Sequence, residues 1–270
     1  MAKEIAQQQA TELTIPDELE TLYSQSAGEG FEELTSRDFQ IPFYTILQAL
    51  SPQLRGTSKV KGAEEGDIFN TVSQEIIKPI NGIQVIPSYY RYRWVEWVPR
   101  TIGGGFVGYH DSAKILDQTT LVVDPKDPGR RPVPTLPNGN HIVETAYYFV
   151  IRIKEDGAFE RGIISMASTN LKVSRKWNSV RANFSAPIKG VMQIIPAWAQ
   201  IWHLSTALET NKNNQSYYVW APDLSNPAIV KNLELFNASK QFMKDIREDK
   251  VQIKEPSQEE ESILEDIQHF

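Results

Sequence analysis

The run of residues 83–98, IQVIPSYYRYRWVEWV, limits the possible folds of this chain more than any other segment. Most of its residues are β-branched or aromatic, which favours an extended strand over a helix, and Pro87 within it indicates a bend or a bulge. Shorter segments of the same kind, at residues 67–72, 141–154 and 159–167, are separated by turn signals that contain glycine or proline. The sequence therefore predicts a mainly β fold.

A helical pattern follows the strand-like segments near the C-terminus. Asn226-Pro227 provides a capping side chain followed by a proline at the first helical position, so a C-terminal helix is predicted over residues 226–250. Residues 124–140 hold five prolines and two glycines, which indicates a long surface loop. Many short strands, one long loop and one terminal helix favour an OB-fold-like barrel, mainly β and α+β overall. The pattern does not separate this barrel from other small barrels or a sandwich.

The charge is distributed unevenly along the chain. The net charge is −6, but residues 1–36 carry −7 and residues 251–270 carry −5, which leaves +6 for residues 37–250. A basic body between acidic ends favours a nucleic-acid partner, although acidic termini can also be no more than solvated ends. The predicted parts are an acidic flexible arm (1–30), a β-rich OB-like nucleic-acid-binding core (31–225), the helix (226–250) and an acidic disordered tail (251–270).

Several kinds of site are excluded by what the sequence lacks. It has no cysteine, which excludes disulfides, zinc ribbons and thiolate catalysis. It has no apolar run near the roughly 18 residues of a membrane span and no secretory leader, so a cytoplasmic protein without a membrane partner is expected. No two histidines have the spacing of a helical zinc pair, and Gly103-Gly104-Gly105 lacks the Lys-Ser/Thr of a phosphate-binding loop. The sequence therefore predicts no catalytic residue, no metal and no cofactor.

The densest group of aromatic and basic residues lies at residues 89–100. Its members are Tyr89, Tyr90, Arg91, Tyr92, Arg93, Trp94, Trp97 and Arg100. Alternation along a strand would place Tyr90, Tyr92 and Trp94 on one face. The other face would then carry Tyr89, Arg91, Arg93 and Trp97. One face can pack in the core, while the other would show rings beside guanidinium groups to solvent. Because unpaired bases stack on rings while cations follow the phosphates, this block is predicted to bind single-stranded DNA, unless it only builds the strand.

A second basic and aromatic group lies at residues 168–184, where apolar residues recur at helical spacing. Its members are Lys172, Arg175, Lys176, Trp177 and Arg181. On a helix, Lys172, Arg175 and Lys176 would cluster on one side and face DNA phosphates. The alternative is an ordinary solvated helix face. The sequence thus adds these five residues to the predicted DNA-binding site.

The end of the chain combines acidic residues with a terminal apolar group. Its last twelve residues, from Glu259 to Phe270, read EEESILEDIQHF. This ending resembles the C-terminal tail of bacterial single-stranded DNA-binding proteins and of the phage replication proteins that replace them, although Gln268-His269 departs from the bacterial Asp-Ile-Pro-Phe. The resemblance implies that Asp266, Ile267 and Phe270 bind partner replication or recombination proteins, and that the tail competes with DNA for the protein's own basic groove.

Parts of the core also resemble phage proteins encoded among replication and recombination genes. The matching stretches are Ser51-Pro52-Gln53-Leu54, residues 66–72, Val85-Ile86-Pro87 leading into Val95-Glu96-Trp97, and Tyr217-Tyr218-Val219-Trp220. The resemblance covers residues 40–225. It implies a phage single-stranded DNA-binding protein with an OB-type core.

These observations favour a non-catalytic protein that coats single-stranded DNA without sequence specificity. Two other classes stay open. Aromatic and arginine residues are also enriched at protein–protein interfaces, which would suit a structural or adaptor protein, and a homo-oligomer is compatible with either class. A metal-dependent nuclease would need carboxylates at its active site. Candidates are Glu144, together with the basic residues Arg152 and Lys154, or the pair Asp67 and Glu75.

Overall fold

The computed structural model describes residues 16–26, 29–33, 39–99, 102–123, 132–211 and 214–251, and it divides the chain into two units, Met1–Phe39 and Gln40–Phe270. In the first unit, helix α1 (Asp17–Gln25) is exposed along its whole length. Asp17, Glu18 and Glu20 lie in its first turn, where carboxylates interact favourably with the helix dipole. The flexibility predicted for residues 1–30, like the predicted division of the chain into four parts, stays a prediction.

The described part of the second unit is built mainly from strands. They are β1 (Tyr44–Ile46), β2 (Ile68–Asn70), β3 (Ile76–Ile77), β4 (Ile83–Val98), β5 (Gly105–His110), β6 (Thr120–Val122), β7 (Val133–Thr135), β8 (His141–Ile153), β9 (Phe159–Ala167), β10 (Ser185–Ile188), β11 (Val191–Ile194), β12 (Gln200–Thr210), β13 (Ser216–Pro222) and β14 (Ala228–Ile229). The helices are α2 (Asn170–Arg181) and α3 (Leu233–Arg247). The predicted mainly β, α+β fold is confirmed.

Strands β4 and β8 form the centre of one large antiparallel sheet. The sheet runs in the order β13-β12-β4-β8-β7-β6, while β5 also pairs with β4, β9 with β8, and β14 with β12. The end strands β6 and β13 do not pair with each other in the described part of the chain, so the sheet is open. The predicted OB-fold-like barrel is therefore not closed. The physical reason is that β4 and β8 are long enough to bind several short strands along their edges, which makes the sheet branch instead of closing.

Both faces of the central sheet are buried, each under one helix. Alternate residues of β8 point to opposite faces, so Tyr148 joins a cluster under α2 with Trp177 and Trp202, whereas Phe149 joins a cluster under α3 with Phe242. We call these the α2-side and α3-side clusters. Burial on two faces explains why β8 is apolar almost throughout.

The C-terminal helix and the proline-rich loop differ from their predicted bounds. Helix α3 begins at Leu233, because the side chain of Asn232, and not that of Asn226, caps it by accepting from the Leu235 amide at 3.0 Å. Residues Ala228–Ile229 instead pair with β12, since the edge of β12 offers hydrogen bonds that a local sequence pattern does not reveal. Within the predicted loop 124–140, Val133–Thr135 form β7; residues 124–131 lie outside the described residues.

A cluster of ion pairs around the buried Arg152 joins the small sheet β1–β3 to the main sheet. Arg152 is only 7% exposed and donates to both carboxylate oxygens of Glu75, which lies between β2 and β3, and to Glu160 on β9. Tyr44 on β1 also donates to Glu160. The Lys154 ammonium group forms an ion pair with Glu160 at 2.8 Å. Burial alone would raise the pKa of Glu160, but the donors around it, Lys154 first among them, lower that pKa. The cluster is satisfied internally and acts as a structural contact.

Candidate nucleic-acid interface

Tyr90, Tyr92 and Trp94 form a partly exposed row of rings on β4, which we call the aromatic row. Tyr90 and Tyr92 pack against the α2-side cluster. The ring centroids of Tyr92 and Trp94 are 5.3 Å apart with an interplanar angle of 75°, and Tyr90 meets Tyr148 edge to face at 5.1 Å. Edge-to-face contacts of this kind hold aromatic rings in fixed orientations. The row is therefore a preformed surface and not a set of independent side chains.

A β-bulge decides which face of β4 carries the aromatic row. The register with β8 shifts between Pro87 and Tyr89, so that one extra residue is inserted on β4. Before the bulge, Val85 faces the α2 side; after it, Tyr90 does. A bulge reverses the alternation of the residues that follow it. Without the shift, Tyr89 and the two arginines would face α2 in place of the aromatic row.

Helix α2 places exposed cations beside the aromatic row. The helix contains four basic residues and no acidic one, and Lys172, Arg175 and Lys176 are exposed on one side of it. We call these three residues the cationic side of α2. The Arg175 guanidinium lies 3.9 Å from Oε2 of Glu144 on β8, and the Tyr92 hydroxyl donates to the same oxygen at 2.7 Å. The fold therefore brings parts of the two predicted DNA-binding blocks into one surface.

Glu144 is the member of this surface that sequence reasoning did not include in the DNA-binding site. It pairs with Trp94 across β4 and β8, which places its carboxylate between the aromatic row and Arg175. Burial, followed by the hydrogen bond to Glu144, raises the pKa of Tyr92 to about 12, so its hydroxyl stays protonated at neutral pH. Only the strand register identifies Glu144, because it lies fifty residues from Trp94 in sequence.

The other face of β4 does not expose its guanidinium groups freely. Arg91 donates to the Ile246 carbonyl and to Asp249 at the C-terminal end of α3, where a cation interacts favourably with the helix dipole. Arg93 pairs with Asp111 at 2.7 Å. Tyr89 packs against the α3-side cluster. These three side chains are engaged within the protein, so the structure gives the prediction that Tyr89, Arg91 and Arg93 bind DNA no support, and it stays a prediction.

Three further predicted DNA-binding residues have buried side chains. Trp97 is 4% exposed, Trp177 is 0% exposed and Arg181 is 6% exposed. In α2, Trp177 and Arg181 are one turn apart on the side that faces the sheet, opposite Lys172 and Lys176. Their side chains belong to the core, and their predicted contact with DNA stays a prediction that the structure does not support.

Arg181 is held without a carboxylate partner among the described residues. Its guanidinium carbon lies 5.0 Å from the Trp177 ring centroid and 5.4 Å from that of Tyr148, and it donates to the Pro87 carbonyl at 3.0 Å. Burial lowers the pKa of Arg181 to about 10, which leaves it charged at neutral pH. Its bond to Pro87 ties α2 to the bulge that orients the aromatic row.

The remaining predicted site residues are outside the described part of the chain. Arg100, from the first block, and the tail residues Asp266, Ile267 and Phe270 all fall in this category. Nothing is assigned to them from the structure.

The carboxylates named for a nuclease are divided between separate ion-pair groups. Asp67 accepts from Lys78 at 2.9 Å, while Glu75 is held by Arg152. Glu144 lies on the α2 side beside Arg175. In the described ranges, no three histidine, aspartate or glutamate side chains come together as ligands for a metal ion.

A cleft with a volume of about 650 Å³ lies next to the Arg152 cluster. Glu75, Arg152, Lys154 and His203 are among the residues that line it. The His203 ring nitrogen Nε2 is 2.8 Å from the Asn81 carbonyl, and Arg152 and Lys154 are held by carboxylates. Because these polar groups bind one another, the cleft is a weaker candidate for a binding site than the surface beside α2.

Comparison with known proteins gives a match to a family. A family model described as Pam3 phage gp34-like protein matches residues 9–252. Searches of curated proteins and of solved structures each gave no match. Among the described residues, no helix combines the length and the apolar character that crossing a membrane requires.

Proposed function

Because this chain belongs to the Pam3 phage gp34-like protein family, we propose that it serves a phage as a single-stranded DNA-binding protein. In this proposal it coats unpaired DNA during replication or recombination, without sequence specificity and without a catalytic step. The observation that carries the proposal is the meeting of the aromatic row with the cationic side of α2. Both features are partly or fully exposed and lie on the same side of the central sheet.

The chemistry of this surface suits unpaired bases better than a duplex. Every base has a flat apolar face, so a row of rings binds bases of any sequence, at about 1–3 kcal/mol per stacked base. Lys172, Arg175 and Lys176 supply positive charge at one side of the row for the phosphates. A duplex keeps its base faces stacked on each other and would use only the cations.

The acidic tail has a separate role in the proposal. Residues 251–270 carry a net charge of −5 and end in Phe270. We propose that Asp266, Ile267 and Phe270 bind replication or recombination proteins, since an apolar side chain beside a terminal carboxylate suits a small basic pocket. The same acidic residues would compete with DNA for the cationic side of α2.

Replacing one ring of the aromatic row tests the proposed function. Trp94→Leu keeps an apolar side chain but removes the stacking surface, so affinity for fluorescein-labelled oligo-dT should fall about tenfold, within the range expected for one stacked base. Fluorescence anisotropy at a fixed salt concentration measures this affinity. The matched control is Trp198→Leu, because Trp198 contacts Phe236 of α3 and should leave affinity unchanged. Equal affinities for the wild type and Trp94→Leu, or no binding of oligo-dT by the wild type, would contradict the proposal.

Glu144 should weaken DNA binding in the wild-type protein. Its carboxylate occupies Arg175 and repels phosphate, so Glu144→Gln should raise oligo-dT affinity by about two- to fivefold, as expected for a solvent-exposed ion pair. The charge-matched control is Glu234→Gln in the first turn of α3. An increase of the same size in both variants would mean that only net charge matters and that Glu144 has no place in the interface.

A further inference from the structure

The hairpin of β10 and β11 exposes apolar side chains on both of its faces. The two strands pair only with each other in the described part of the chain, with Ile188 opposite Val191 and Pro187 opposite Met192. The exposed fractions are 39% for Ile188, 61% for Val191, 64% for Met192 and 65% for Ile194. Contiguous apolar surface of this kind on a folded protein usually marks an interaction site.

The base of the hairpin is held firmly, which suits an interface. The Ile195 amide donates to the Phe184 carbonyl at 2.9 Å and continues the pairing below the hairpin. Gln200 is 2% exposed, and its side-chain amide donates to the carbonyls of Ile195 at 2.6 Å and Arg181 at 3.1 Å. At the tip, Lys189 and Gly190 have φ values of +51° and +80°, as a tight two-residue hairpin turn requires. A rigid surface loses little conformational entropy on binding.

We propose that this hairpin is the contact between two copies of the chain, formed by antiparallel pairing of β11 with β11 of the second copy. β11 has neither a proline nor a charged residue, features that commonly protect a free strand edge from pairing. β10 does carry such a protecting residue, because Pro187 lacks the amide hydrogen that it would need to donate to a neighbouring strand. A two-fold axis between the two β11 strands brings the same patch of both copies together and gives a closed dimer.

The charges of the hairpin fit a second copy and do not fit nucleic acid. Between Ser185 and Ile194, Lys189 is the one charged residue, and no residue is aromatic. In the two-fold arrangement the two tips point in opposite directions, so the two Lys189 ammonium groups stay apart. Single-stranded DNA would need rings and several cations, which the hairpin lacks.

The area that pairing of β11 can bury limits the stability of the dimer. Specific interfaces bury at least about 1,200 Å² in total, or about 600 Å² for each partner. Residues 187–194 are all exposed, but pairing through the edge of β11 covers mainly Val191–Ile194, so the dimer lies at or below the low end of this range. We therefore expect a dimer that dissociates in the micromolar range. This dimer does not depend on the proposed DNA binding.

The test measures self-association of the full chain without DNA. Sedimentation equilibrium should show a concentration-dependent dimer for the wild type, and the double variant Val191→Lys/Met192→Lys should weaken it at least tenfold. The control is Ile80→Lys, because Ile80 is 90% exposed in a turn that does not belong to the hairpin. Its dimer should be as stable as that of the wild type. A monomeric wild type at all concentrations, or an undiminished dimer in the double variant, would overturn the proposal.

A cysteine introduced into the cysteine-free chain gives a second readout that does not depend on dissociation. Met192→Cys lies near the middle of β11 and thus near the proposed two-fold axis, so mild oxidation should give a disulfide-linked dimer in high yield. Ile80→Cys should give little. Similar yields for the two variants would count against the hairpin, as would a Val191→Lys/Met192→Lys variant that keeps its dimer but loses oligo-dT affinity.

Discussion

The triple variant Lys172→Gln/Arg175→Gln/Lys176→Gln should bind oligo-dT about 100-fold more weakly than the wild type at about 0.1 M salt. For single strands, each phosphate contact adds about 0.7 to the negative slope of log affinity against log salt concentration, so three contacts add about 2. Anisotropy titrations over a range of salt concentrations measure both quantities. The affinity loss and the smaller slope have one cause, the loss of counterion release.

A charge-matched control separates this effect from net charge. Lys231→Gln/Lys244→Gln/Arg247→Gln removes three cations on and just before α3, which covers the opposite face of the central sheet. Affinity and salt slope should change little in this control. Glutamine has nearly the helix propensity of lysine and arginine, so both variants should keep their thermal stability. If the α3 variant lost as much affinity as the α2 variant, DNA binding would be diffuse and the α2 surface would have no special part in it.

Trp177→Ala should lower the free energy of unfolding by about 3–5 kcal/mol, the range found for removing a large aromatic side chain from a core. Trp177 is 0% exposed and contacts the rings of Tyr148, at 4.6 Å, and Trp202, at 6.2 Å. It also supports the guanidinium group of Arg181. Urea denaturation followed by circular dichroism measures the loss.

Trp177→Ala also distinguishes a core role from a binding role. Trp177→Phe should recover much of the stability, because it restores part of the ring contact with Tyr148. Trp94→Leu, at a partly exposed position, should lower oligo-dT affinity more than stability. A Trp177→Ala variant that unfolds at the wild-type urea concentration but no longer binds oligo-dT would place Trp177 in the interface and contradict its assignment to the core.

The division of residues 89–98 between two roles follows from burial on both faces of the sheet. A strand covered by a helix on each side can present to solvent only the residues near the rim of one helix. Tyr90, Tyr92 and Trp94 lie beside α2, whose cations remain exposed, whereas Arg91 is used to hold the end of α3. The same residue types that suggest DNA binding in sequence therefore serve packing on one face and a candidate interface on the other.

The hairpin β10–β11 adds a feature that aromatic and basic patterns do not reveal. Its residues are apolar and belong to a short segment that, in sequence, resembles any buried strand. Exposure, which only the fold determines, turns the same residues into a candidate interface. A dimer of this kind would present two α2 surfaces in one particle, so DNA held at one surface would raise the effective concentration at the other.

The sequence by itself determined the mainly β fold, the long strand at residues 83–98, the irregularity at Pro87 and the helix that carries Lys172, Arg175 and Lys176. These are local properties, since β-propensity, alternation and helical spacing depend on residues a few positions apart. Only the tertiary structure decided that the sheet stays open, that Asn232 and not Asn226 caps α3, and that Trp97, Trp177 and Arg181 are buried. It also decided that Arg91 binds the Ile246 carbonyl and that Glu144 lies beside Arg175. Each of these outcomes depends on contacts between residues far apart in the chain, and a local pattern carries no information about which distant element will cover it.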